Sequence, residues 1–194
     1  MTAVRVRGNR LVDQSGRQVV LRGVSHSGSE YTCVHGHGVF EGAMDSTFVA
    51  GLKSWKNLNA VRLPLNEDCW LGINGVPSDS GGAAYQAAYK KTVDLLTSAN
   101  IAVLADLHWT APGSTKATGQ QQLPDRDHAP KMWSEVAATF KSNPLVIFEL
   151  FNEVCQTRAR LHPRCPPALP LFSSPRTSSP PPLKTFRSYI MYPA

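Results

Sequence analysis

IAVLADL, Ile101 to Leu107, is a seven-residue apolar run interrupted only by Asp106. A strand with one solvated face alternates apolar and polar residues. A near-continuous run belongs to a strand covered on both faces, as in a parallel sheet flanked by helices. The segments on either side fit that reading. Upstream, Tyr85 to Ala99 predicts a helix with Tyr85, Ala88, Tyr89, Val93 and Leu96 on roughly one face. Before it, NAVRLPL, Asn59 to Leu65, predicts a short buried strand. Earlier still, Asp45 or Ser46 caps a helix with an apolar stripe of Phe48, Val49, Leu52 and Trp55. VVLRGV, Val19 to Val24, reads as a strand ending at Ser25, preceded by short strands around a polar turn at Asp13 to Gly16. Downstream, a helix is expected from Lys131 to Phe140, through Met132, Trp133 and Val136. Pro144 then forces a break before the strand LVIFELF, Leu145 to Phe151.

Strands and helices therefore alternate, which implies an α/β fold with a parallel sheet and helical crossovers. In such sheets the chemistry sits beyond the carboxyl ends of the strands. The polar residues fall there: Ser25-His26, Asn66-Glu67-Asp68, Asp106 with His108, and Asn152-Glu153.

Composition narrows the function classes. The chain has 194 residues and a net charge of +6, but residues 1–153 carry 14 basic and 14 acidic residues. The excess lies in the last 41 residues, which hold six basic residues and no acid. No basic face marks the first 153 residues, so nucleic-acid binding is not expected. No stretch is long and apolar enough for a membrane span. The N-terminus shows no apolar signal segment, which leaves the location open. Nine of the fifteen prolines lie after Glu153, mixed with Ser and Arg. That composition predicts a disordered tail over residues 154–194 behind a folded unit over 1–153.

Four patches, LRGVSHSG, NAVRLPLNEDCW, ADLHW and FELFNE, together resemble the cellulase-type retaining enzymes of glycoside hydrolase family 5. The resemblance implies an incomplete (β/α)8 TIM barrel: short N-terminal strands, then about the first four barrel strands. It also implies a β-glucan-like polysaccharide or oligosaccharide as substrate, and no cofactor. Glu153 resembles the family's general acid/base, which protonates the glycosidic oxygen and later activates the attacking water. Asn152 resembles the residue that bonds the sugar 2-hydroxyl. Arg62 resembles the arginine that keeps the nucleophile ionised. His108 resembles the histidine lining the cleaved sugar's subsite, and Trp70 and Trp109 are candidates for sugar stacking. Family members are often secreted.

Other residues also invite a chemical reading. Asn66-Glu67 follows the second barrel strand, where the family does not place its acid, and reads as cleft-lining or loop-structuring. Cys33, His35 and His37 lack the partner spacing of a metal site, so no metal is expected. Cys33 and Cys69 fall in loops after successive strands, which leaves a disulfide and two free thiols both open.

A retaining mechanism needs a second carboxylate roughly 5–5.5 Å from the first. Glu149 lies four residues before Glu153 on one strand, about 13 Å away at the rise of a strand, and suits a polar layer inside the barrel. No Asp or Glu follows Glu153, so a match to the family's nucleophile, which follows its seventh strand, is missing. The expectation is a family glycosidase that is inactive as this chain. The alternatives are a non-catalytic carbohydrate-binding remnant, or the misfolded product of a frame-shifted or wrongly assembled gene.

Overall fold

The computed structural model describes residues 3–154 and 190–191. The tail expected to be disordered, with Cys155 and Cys165, lies outside the described residues except for Val154, Ile190 and Met191.

The chain opens with an antiparallel hairpin, β1 (Arg5–Arg7) and β2 (Arg10–Val12). The Asp13–Gly16 turn follows, where Asp13 Oδ1 accepts from the Ser15 and Arg17 amides and returns Gln18 to pair with Val12. Four parallel strands then lie side by side in chain order: β3 (Gly23–Ser25), β4 (Ala60–Asn66), β5 (Ala102–Trp109) and β6 (Val146–Glu149). A two-residue strand, β7 (Ile190–Met191), runs antiparallel along β6. Helices connect the parallel strands: α1 (Ser46–Lys53), then α2 (Glu67–Leu71) and α3 (Ala83–Ser98), then α4 (Ala129–Phe140). Sequential parallel strands with helical crossovers are the arrangement of half a (β/α)8 barrel.

The pleat of the strands sorts their side chains. Val61, Leu63 and Leu65 of β4, with Val103, Ala105 and Leu107 of β5, pack in one core with Tyr89, Leu96 and Val136 of the helices. Two tyrosine hydroxyls buried there are satisfied: Tyr89 donates to the Leu63 carbonyl at 2.7 Å and Tyr85 to that of Ser29 at 2.8 Å. A second apolar cluster joins Ala60, Ala102 and Ile147 at the amino ends of β4, β5 and β6, where Val4 covers them. The Val4 amide donates to the Pro144 carbonyl, which anchors the hairpin to the approach of β6. The alternate positions further along these strands are polar: Arg62, Asp106 and Glu149.

Several element boundaries differ from expectation. The first barrel strand is only Gly23–Ser25, not Val19–Val24. Asn59 intervenes there, its Oδ1 accepting from the Arg22 amide at 2.7 Å and its Nδ2 donating to the Val20 carbonyl at 3.0 Å. Side-chain bonds thus replace a backbone ladder over that stretch. Gly23 is required where it stands, because a Cβ would lie 1.7 Å from the Ala60 carbonyl oxygen. The last parallel strand stops at Glu149 instead of Phe151. Asp45 caps α1 as expected, but the helix ends at Lys53, which leaves Trp55 58% exposed beyond it instead of on the apolar stripe. Helix α2 was not anticipated, although Asn66 caps it, two acids fill its first turn and Gly72 closes it at φ 66°. No helix among the described residues is long and apolar enough to cross a membrane.

Cys33 and Cys69 are joined by a disulfide across 36 residues, tying the loop after β3 to α2. A loop of that length is worth about 4 kcal/mol in the chain-entropy account of cross-links. Cys33→Ser/Cys69→Ser is therefore expected to lose stability of that order in urea unfolding, and added thiol reductant should reproduce the loss in the parent chain but not in the variant.

Candidate active site

The inner polar positions converge on Arg62. Its Nε donates to Glu149 Oε2 at 2.8 Å, and its terminal nitrogen Nη2 reaches Glu149 Oε1 at 3.1 Å. The same Nη2 lies 2.9 Å from Asp106 Oδ2 and donates to Asn152 Oδ1 at 2.8 Å. The register explains this meeting: Asp106 of β5 pairs with Glu149 of β6, and Arg62 stands two residues below the Asp106 partner Pro64 on β4. Burial opposes the charge on Arg62, but its hydrogen bonds to Glu149 and the fields of Asp106 and Glu149 outweigh it and raise its pKa. The guanidinium is thus fixed as a cation.

Asp106 is fully buried and holds the next residue of the site. Its Oδ2 sits 2.6 Å from His108 Nδ1, which places a proton on Nδ1, between the two. His108 Nε2 is left facing Asn152 Nδ2 at 3.4 Å. Burial raises the Asp106 carboxyl pKa, against the pull of His108 and Arg62. Asn152 is 8% exposed and is gripped from a second side by Gln120. Asn152 Nδ2 donates to Gln120 Oε1 at 2.7 Å, and Gln120 Nε2 returns a bond to the Asn152 carbonyl at 2.8 Å. Sequence reasoning passed over Gln120, because a polar residue in a Gln-rich loop carries no spacing signal. Glu153 follows at the surface with φ 43°, a left-handed conformation uncommon outside glycine and asparagine.

The six residues singled out from sequence divide clearly. Arg62, His108 and Asn152 form one hydrogen-bonded constellation with Glu153 next in the chain, and Trp109 ends β5 beside it, half-buried against the rings of Tyr31 and His35. Trp70 does not belong. It is fully buried, packed against Tyr89 and Phe140, with its indole N–H on Glu135 at 3.1 Å. Helix α2 turns it into the core, so no sugar ring can stack on it.

Asn66 structures its own surroundings: its Oδ1 caps α2, and its Nδ2 donates to the carbonyls of Glu30 and Ala117. Glu67 is fully buried beside Thr110 and Asp125. Burial and a hydrogen bond with Asp125 push its pKa up to about 9. Burial also opposes the Asp125 charge, but hydrogen bonds from Glu67, Thr110 and the His128 and Asp127 amides prevail and lower it to about 2.

Comparison with known proteins gives the family and the fold. The family model described as cellulase, glycosyl hydrolase family 5, matches residues 12–161. An endoglucanase of Halalkalibacter akibai is 29% identical over 143 residues, which is 74% of this chain and 15% of that protein. An endocellulase of Pyrococcus horikoshii, solved with cellotetraose, superposes with a TM-score of 0.55 at 25% identity, over 78% of this chain and 43% of that one. A β-mannanase of Streptomyces thermolilacinus, solved with mannohexaose, shares the fold at 18% identity and a TM-score of 0.52, over 82% of this chain and 44% of its own. The chain thus spans less than half the length of each.

Removing Arg62 leaves Glu149 and Asp106 facing each other without a counter-charge. Arg62→Met is expected to cost roughly 3 kcal/mol in denaturant unfolding. Pairing it with Glu149→Gln should recover part of that loss, a non-additivity that a double-mutant cycle reads directly.

Proposed function

The chain belongs to glycosyl hydrolase family 5, and from that membership we propose that it carries the acid/base half of a retaining β-glucanase site. The observation that carries this reading is the convergence of Arg62, His108 and Asn152 at the carboxyl side of neighbouring parallel strands, with Glu153 directly after. In a double displacement Glu153 protonates the departing glycosidic oxygen and then deprotonates the water that releases the glycosyl intermediate. Its exposed position at the end of the strand layer suits proton exchange with both substrate and water. Asn152 presents its amide toward the sugar 2-hydroxyl, held in place by Arg62 and Gln120. His108, oriented by Asp106 through Nδ1, turns Nε2 toward Asn152, beside the position proposed for the cleaved sugar. Trp109 supplies an aromatic wall for a sugar ring. The cellotetraose bound by the Pyrococcus endocellulase supports a β-linked glucan oligosaccharide as the ligand class.

The nucleophile decides what the chain does alone. Glu149 is committed to Arg62 by two hydrogen bonds, and no acidic residue follows Glu153. A double displacement without its nucleophile does not turn over. The 194-residue chain is therefore a glycan-binding half-site without catalysis of its own.

Two measurements test this. Reducing ends released from soluble β-glucan by the purified chain should not exceed those from Glu153→Gln, whereas turnover that vanishes in Glu153→Gln would show that the chain completes its site. Cellotetraose titrated against tryptophan fluorescence should change the signal, and Trp109→Ala should weaken the association about five- to tenfold, equivalent to roughly 1–1.4 kcal/mol of lost aromatic contact. A flat titration at millimolar cellotetraose would sink the glycan-binding half of the proposal.

A further inference from the structure

A second cluster lies where α2 begins and the loop between β5 and α4 closes over it. We propose that Glu67, Asp125 and His128 form a binding site for a divalent cation of the zinc class. The three residues come from separate places: the first residue of α2, the loop beyond β5, and the residue that precedes α4. One ligand atom from each lies within 4.8 Å of the other two.

Two of the candidate ligand atoms have no hydrogen-bond partner. Glu67 is fully buried, and its Oε1 has no hydrogen-bond partner. The buried His128 Nδ1 also has none. These two atoms face each other at 3.9 Å, too far for a hydrogen bond. Bonds of about 2.0–2.1 Å in a tetrahedral shell put neighbouring ligand atoms about 3.3 Å apart, so modest side-chain rotation brings the pair to coordination distance. A buried carboxyl oxygen without a partner beside a buried imidazole nitrogen without one is otherwise a costly arrangement.

The remaining oxygens point the same way. Thr110 Oγ1 is 2.8 Å from Glu67 Oε2 and also lies against Asp125 Oδ2. A hydroxyl has one proton to give, so it donates to only one of the two carboxyl groups, which also hydrogen-bond each other. Asp125 Oδ1 is already occupied by the amides of Asp127 at 2.8 Å and His128 at 2.7 Å, which fixes the orientation of that carboxylate. Two carboxylates and one imidazole suit zinc better than calcium or magnesium, which favour all-oxygen shells. Such a cation would fasten α2 to the loop that also carries Gln120, the residue gripping Asn152.

The test uses the whole chain, stripped with chelator and dialysed against Zn2+. Metal analysis should give one bound zinc per chain, with a rise in melting temperature over the stripped protein. Glu67→Gln and His128→Gln should each weaken zinc uptake by at least about tenfold, while the double change His35→Ala/His37→Ala should leave it unaltered. Because Glu67→Gln touches a fully buried site, circular dichroism checks its fold, and the less buried His128→Gln decides the matter if that fold is lost. Absence of uptake overturns the proposal. So does uptake indifferent to His128→Gln, or uptake abolished by the His35/His37 change.

Discussion

A guanidinium inside a layer of strands needs partners, and Arg62 has them on three sides. Glu149 takes two of its hydrogen bonds, Asp106 supplies a second negative charge, and Asn152 accepts the last contact. Charges withdrawn from water cost several kcal/mol each unless they meet opposite charge in good geometry. That requirement ties β4, β5, β6 and the turn beyond β6 to one another. The orientation of His108 follows at one remove, through the carboxylate that Arg62 and His108 share. Organisation of the polar cluster and the pairing of the strands are therefore one problem with one solution, in which the register decides which side chains meet.

The inner face shows how that solution is layered. At the amino ends of the strands small and aliphatic residues close against Val4, and toward the carboxyl ends the same pleat positions turn polar. On β4 and β6 the change occurs within two residues, from Ala60 to Arg62 and from Ile147 to Glu149. Apolar packing sets the spacing of the strands, and the charged layer above it fills that spacing with Arg62, Asp106 and Glu149 paired to one another.

Local pattern made much of this legible in advance. The apolar run at Ile101 to Leu107 and the 3.6-residue stripes around Tyr89 and Val136 depend on burial of whole faces, which any chain of this class must show. Their boundaries held to within about two residues, as far as terminal turns allow. What stayed hidden depended on contacts between distant segments. Trp70 looks like a cleft residue until α2 is recognised, since five residues of helix rotate its ring into the core. Asn59 shortens the first barrel strand by side-chain bonding that no periodicity reports. Glu67, Asp125 and His128 are brought together only by the fold, with a separation along the chain that matches no metal motif. Gln120 matters because of what it touches. In each case the missing information was three-dimensional proximity, whereas the residue types were plain to see.

The Cys33–Cys69 bond has a consequence for how the chain is made. Both cysteines precede β5, so both leave the ribosome before the longest of the described parallel strands emerges. Domains fold as they emerge, amino end first. Where the compartment is oxidising, the cross-link can close while only the first two strand–helix units exist, holding β3 and β4 close enough to act as a template for β5. Where the compartment is reducing, the nascent chain must hold those strands together by packing alone, with its newest edge open to any other strand that arrives first.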